Sequence, residues 1–353
     1  MSRSAVSVRL RLVELLAVLI LAVPAVCAQG KWTKVAPFPE PAEEILGAAA
    51  GGKLYVFAGL APVWKPMGMV WEYNPSTDQW TKKKPMALPS HHVALTEYHG
   101  KIYAFGGFIY PESGPPAWVP INNAWEYDPA SDTWKALAPL PGKRGSAVAA
   151  SVGDKIYVIG GATTPPGSVE TAIDPAHPQV CLGTVDEYDP ATNSWRERSP
   201  MPTPRNHAAI GAVNGKIYVI GGRVGAAFIA LASDTSVVEV YDPASDTWGA
   251  PRARMPTTRS ALAAGVYGGR IYVAGGEYQD PHMMATFRAV EAYDPSTDSW
   301  TTMPSLPVSR HGLAGGVLGN RFHVVGGDVQ SSGTGVNVST AEHDSLELAN
   351  PDK

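Results

Sequence analysis

The sequence predicts an all-β protein, a six-bladed β-propeller closed by its N-terminal strand. Six strand-like segments end in a small-residue pair: Ala58-Gly59, Gly106-Gly107, Gly160-Gly161, Gly221-Gly222, Gly275-Gly276 and Gly326-Gly327. A tryptophan precedes each pair at a similar distance, at Trp32, Trp80, Trp134, Trp195, Trp248 and Trp300. The resulting period of about fifty residues marks a propeller or array. Composition agrees, since 36 Gly and 32 Pro suit a fold of many strands and turns.

The chain has 353 residues, 17% of them charged, and a formal net charge of -4. That balance gives no electrostatic reason to expect nucleic acid, and no Lys/Arg run suggests a basic patch. The first 28 residues are different in kind. Arg3, Arg9 and Arg11 precede an apolar run from Leu12 to Ala25, and Val26-Cys27-Ala28 offers small residues where a signal peptidase reads. The expectation is a secretory signal cut after Ala28 and an exported protein, periplasmic or extracellular. The run is short for a membrane span. Contact with a membrane is therefore expected only if this segment is retained or Cys27 is acylated. After cleavage Cys181 is left as a single thiol, without an internal disulfide partner.

The fourth copy shows the repeat in order. A small first strand (Ala208, Ala209, Gly211, Ala212) suits the crowded axis where the sheets converge. Asn214-Gly215 is a two-residue hairpin signal. Lys216 to Ile220 is apolar on both faces, as a strand between neighbouring sheets must be. The third strand ends in Tyr241-Asp242-Pro243, type I turn chemistry, and leads to Trp248 on the fourth. A Tyr and a Trp recurring once per sheet are expected to pack between blades, without contacting ligand.

This pattern resembles the kelch repeat, whose signature is a strand ending in Gly-Gly, then Tyr-Asp-Pro, then Trp. Lys-Ile-Tyr-Val-Ile-Gly-Gly occurs identically at 155–161 and 216–222. Two copies depart from it. The first has Ala58-Gly59 and Asn74, and the last reads as Glu342-His343-Asp344 where Tyr-Asp-Pro should stand. The resemblance implies one four-stranded blade per repeat. The last copy lacks a Trp and Trp32 lacks preceding strands, so the strand at Trp32 is expected to complete the sixth sheet. The domain reading is a signal peptide at 1–28, the propeller at 29–346 and a tail at 347–353.

The second-to-third loops vary in length and composition, so that face is the better binding candidate. Trp64, Tyr110, Trp118 and Tyr278 lie in them. Such aromatics suit sugar faces or peptide side chains, or else pack onto neighbouring loops. Three registers should open near the channel mouth. One holds Arg144, Arg205, Arg259 and Arg310, with Ser90 and Ala42 in the first two copies. In kelch domains that recognise acidic peptides, arginines near this mouth carry binding, whereas recurrence in four copies suits a structural role. The second register holds Glu44, His92, Ser146, His207, Ala261 and Gly312, and the third Leu60, Phe108, Ala162, Arg223, Glu277 and Asp328. His92, His207, Arg223, Glu277 and Asp328 are the better ligand-binding candidates, since the fold does not demand them, and Arg144, Arg205, Arg259 and Arg310 stand beside them as candidates. Arg223 pairing with Glu277 as blade-to-blade glue is the bland alternative. No metal set or cofactor motif is legible beyond the pair His91-His92. Galactose oxidase also carries kelch-type repeats, but its copper, His and Tyr site has no counterpart in this sequence.

Two functions follow as expectations. One is a binding module that recognises a partner protein or glycan through the variable-loop face. The other is a carbohydrate-active enzyme, a mutarotase or epimerase of the sialic acid epimerase type. A converging acid–base pair at the mouth would favour the second.

Overall fold

The computed structural model describes residues 30–61, 65–113, 117–165, 179–226, 232–280, 282–331 and 337–349. The signal segment and Trp64 lie outside them. Six antiparallel four-stranded sheets form the ring, and no helix occurs among the described residues. The fourth blade is typical: Ala209–Val213, Lys216–Ile220, Val238–Asp242 and Thr247–Trp248 pair in chain order from the axis outward. Its hairpin takes positive φ at both Asn214 (51°) and Gly215 (74°), as the sequence requires.

The last blade is built from both ends of the chain. Ala314–Leu318, Arg321–Val325 and His343–Glu347 are followed outward by Trp32–Lys34. Trp32 pairs with Leu346, just as Trp248 pairs with Tyr241. This corrects the register read from sequence. Leu346 stands where other blades have Tyr, and Asp344 lies opposite Val324 as Glu239 lies opposite Val219. The strand runs through Glu347, and Leu348 is buried, so packing continues past residue 346.

The recurring residues clamp neighbouring blades together. Each Tyr hydroxyl of blades one to five donates to an Asp or Asn five residues on, for example Tyr127 to Asp132 at 2.7 Å. That acceptor also takes a backbone N–H from the preceding junction. Ala36, Lys84, Ala138, Ser199 and Ala253 donate in this way to Asp78, Asp132, Asn193, Asp246 and Asp298. The carbonyls of the same five residues accept from the indole Nε1 of Trp80, Trp134, Trp195, Trp248 and Trp300, at 2.8–3.1 Å. These tryptophans are half-buried, less enclosed than their recurrence suggested, because the indole edge must reach a surface carbonyl. At the sixth junction Trp32 Nε1 donates to Pro304 O at 2.8 Å. Proline has no N–H to offer, and among the described residues this blade has no turn Asp to receive one.

The glycine pairs have a matching task. In blades two to six the second glycine sends its N–H to the next blade, as Gly161 does to Arg205 O at 3.0 Å and Gly222 to Arg259 O at 3.1 Å. A Cβ on Gly221 would stand 2.8 Å from the Arg259 carbonyl, which excludes larger residues there.

The closing seam carries two buried histidines. His343 Nδ1 donates to Ala36 O at 3.0 Å, so its Nε2 accepts from His323 Nδ1, also at 3.0 Å. Burial, with the neighbouring cationic groups, depresses His323 to about 4 and His343 to about 3. Both lie below the unfolded value of about 6.5, so the stability they represent is present above that pH and lost as pH falls through the folded values. Acidification from pH 7 to 4 is expected to cost roughly 3 kcal/mol for each of the two, about 6 kcal/mol at most through the pair. His323→Tyr places there the residue found at Tyr55, Tyr103, Tyr157, Tyr218 and Tyr272 in the other blades. Urea midpoints measured against pH should show a shallower acid limb in that variant, and an unchanged limb would assign the loss to other groups.

Candidate functional site

At the axial mouth the chain enters each inner strand through a left-handed residue. These are Glu44, His92, Ser146, His207, Ala261 and Gly312, with φ between 51° and 60°. They are the six positions that repeat alignment placed in one register. Their backbones run head to tail between blades: Ser146 N to His92 O (2.8 Å), His207 N to Ser146 O (3.1 Å), Ala261 N to His207 O (2.9 Å) and Gly312 N to Ala261 O (3.1 Å). The side chains therefore converge on the axis, and the His92 and His207 rings come to 4.6 Å although a whole blade separates them in sequence order.

The four recurring arginines lie away from this ring of residues, inside the blades. Arg144, Arg205, Arg259 and Arg310 are at most 2% exposed. Each pairs with the carboxylate of its own third strand: Arg144 with Asp186 (2.6 Å), Arg205 with Glu239 (2.5 Å), Arg259 with Glu291 (3.0 Å) and Arg310 with Asp344 (2.6 Å). Buried charges of this kind persist only when paired.

The third register does form a mixed-charge arc. Arg223 Nη2 lies 2.6 Å from Glu277 Oε1, joining blades four and five. Glu277 Oε2 accepts from Ser331 Oγ at 2.7 Å and from Gln279. Asp328 sits beside the arc and accepts from the Gln330 and Val338 N–H groups. Arg223, Glu277 and Asp328 are each no more than 1% exposed.

Two residues that the sequence reading passed over complete the site. His311 Nε2 lies 3.5 Å from Glu43, 3.9 Å from Glu44 and 3.7 Å from Glu277. The signal was available one residue before the ring register, where Glu43, His91, Gly145, Asn206, Ser260 and His311 stand in successive copies. Burial alone would lower His311, but Glu277, Glu43 and Glu44 raise it to about 10. Burial alone would raise Glu277, but the charges of His311 and Arg223 and the hydrogen bonds hold it at about 2. Glu44 is lowered too: His92 and His311 outweigh its burial. Burial raises Asp328, and raises Asp234 to about 6. Burial and the charge of Arg223 push His207 well below the ordinary range, so it is neutral at pH 7.

The open space here is small. A cavity of about 70 Å³ is bordered by Glu44, His92, Ser146, His207, Ala261 and Gly312, and below it the channel is lined by apolar and small residues such as Leu46, Ile210 and Leu262. Donor atoms of Glu44, His92 and His207 lie within 4.8 Å of one another, as do those of Glu43, Glu44 and His311. The loop aromatics largely pack down. Trp118 is 3% exposed against Phe108, His91 and His92, and the Tyr278 hydroxyl donates to Asp280 at 3.0 Å. Cys181 accepts from Asn206 Nδ2 at 3.0 Å, and burial pushes its thiol up to about 11, which opposes a reactive role.

The family model described as Kelch motif matches residues 47–87, 89–141, 143–202, 204–248 and 258–307. Similar curated proteins include Kelch-like protein terF of Aspergillus terreus, 28% identical over 62% of this chain and 45% of its own length. Kelch-like protein 25 of Xenopus tropicalis is 30% identical over 58% of this chain and 32% of that one. Kelch-like protein 23 of Pongo abelii is 28% identical over 78% and 44%. The chain thus spans a third to a half of the length of these relatives. The solved structure of YjhT shares the fold, with a TM-score of 0.70 at 17% identity over 89% of this chain and 99% of that one. With five matched motifs and six blades built on the same clamps, the chain belongs to the kelch-repeat family.

Proposed function

We propose that this is an exported kelch propeller that binds a partner protein through its variable-loop face. One observation carries the choice of face. Of the five exposed large apolar side chains among the described residues, Val180, Met283, Met284 and Val338 belong to the second-to-third loops, and Val266 does not. Exposed apolar groups gathered on one face suit a protein partner, and flexible methionines adapt to it. Kelch-like relatives support a binding module in the same way. The glycan form of this reading has less behind it, because Trp118 is buried and offers no stacking platform. The enzyme reading gains no support either. Acid and base groups converge, but Glu277 and His311 are fully buried and spent on each other, and about 70 Å³ is far below the roughly 300 Å³ of a small-molecule site. Export rests on the N-terminal segment.

The test places a photo-crosslinking residue at Met284 or Val338, and at Ser131 or Asp154 on the opposite face, in the producing cells. Adducts with one defined protein from the first pair alone are expected, on a chain whose mature N-terminus is Gln29. Adducts from the second pair alone, or a retained N-terminus in the cytoplasm, would overturn the corresponding half of the proposal.

A further inference from the structure

We propose that Glu44, His92 and His207 form a site for a divalent ion of the zinc class at the axial mouth. The three residues come from blades one, two and four, yet their donor atoms lie within 4.8 Å of one another, with His92 Nε2 2.9 Å from Glu44 Oε2. Two imidazoles and one carboxylate select zinc, cobalt or nickel over calcium and magnesium, which take oxygen ligands.

A second layer orients the imidazoles. Asn206 Nδ2 donates to Ala226 O at 3.3 Å, which turns its Oδ1 toward His207 Nδ1. An amide oxygen only accepts, so His207 carries its proton on Nδ1 and keeps the Nε2 lone pair for the cavity, 3.5 Å from Ser146 Oγ. His92 Nδ1 faces His91 Nδ1. With Glu44 Oε2 as acceptor at 2.9 Å, His92 carries a proton on Nε2 and takes one from His91 at Nδ1, and a bound ion would replace the proton shared with Glu44. Such outer partners are the usual companions of metal-bound histidines.

Charge and space agree. Around the mouth the carboxyl groups of Glu43, Glu44, Asp234, Glu277 and Asp328 face only Arg223 and His311 as cations within the described network. The adjoining cavity of about 70 Å³ has room for an ion with one or two waters, at about 30 Å³ of liquid volume each. That leaves an open coordination position. A plain hydrogen-bonded plug would need neither the excess of carboxyl groups nor the bare Nε2 of His207.

The probes are Zn2+ by calorimetry and Co2+ by visible absorption, on untagged, metal-stripped mature protein. One ion per chain is expected, with a tetrahedral Co2+ spectrum displaced by Zn2+. Glu44→Gln, His92→Gln and His207→Gln should each weaken binding at least tenfold, while Ser131→Ala, on the opposite face, leaves it unchanged. No Co2+ spectrum, or full affinity in the folded histidine variants, would overturn the site. If those variants do not fold, X-ray absorption of the Zn2+ form decides: two imidazole ligands support the site, and fewer overturn it.

Discussion

Arg205→Ala is expected to destabilise the protein by about 3–5 kcal/mol, the cost of leaving one partner of a buried ion pair uncompensated. The guanidinium is fully enclosed and also donates to Val219 O at 3.0 Å, and Glu239 is only 5% exposed. The charge of Glu239 would remain in an apolar interior with only Thr203 Oγ1 (2.7 Å) as donor. Replacing both partners, with Arg205→Met and Glu239→Leu, should recover most of the loss, because two apolar groups restore packing without a stranded charge. Urea unfolding of the two variants measures this. The double variant should also keep its crosslinked partner, since the pair lies inside the blade. A single variant that unfolds like the parent, or a stable double variant that loses the partner, would move the four arginines from the scaffold to the binding surface.

Deleting residues 30–36 is expected to cost about 3–5 kcal/mol, the loss associated with removing one large packed aromatic. The outer strand of the sixth blade goes, and with it the Trp32 indole bond and the Val35 N–H bond to His343 O (3.1 Å). The Ala36 contacts to Asp78 and Trp80 go as well, so blade one loosens on its other flank. An added peptide of residues 30–38 should restore the urea midpoint at saturating concentration. A truncated chain as stable as the parent would mean that the ring does not depend on this closure.

The blades were legible because each recurring residue performs the same bond in every copy. Tyr127, Asp132 and Trp134 recur as types because the hydroxyl must hold the carboxylate, and the carboxylate and the indole must meet main-chain atoms at fixed distances. Closure was legible from a count of strands. The register of the last blade was not, since Leu346 replaces Tyr and the remaining marker, Asp344, shows itself only when aligned through Arg310. The site was half legible. His92 and His207 were found because they do not recur in every copy of their register, so the fold does not demand them. Glu43 and His311 were missed because their contact reaches across the seam between blades six and one, joining positions about 270 residues apart, and no local spacing encodes that.

The clamped residues at the junctions tell a different evolutionary story from the residues that clamp them. Lys84, Ala138 and Ala253 are gripped by their peptide N–H and C=O, which places little demand on the side chain, whereas Ala36 also packs on the core beside it and the Ser199 side chain also reaches Asp246. The mechanical joints of the ring thus sit on sites free to drift, and the information that maintains them is stored in the neighbouring blade. Proline alone is barred from five of them and is accepted at the sixth, Pro304, where no acceptor among the described residues waits for its missing hydrogen. A library randomised at Ala138 or Ala253 should therefore tolerate nearly every residue but proline, whereas one randomised at Asn193 or Trp195 should return few folded members.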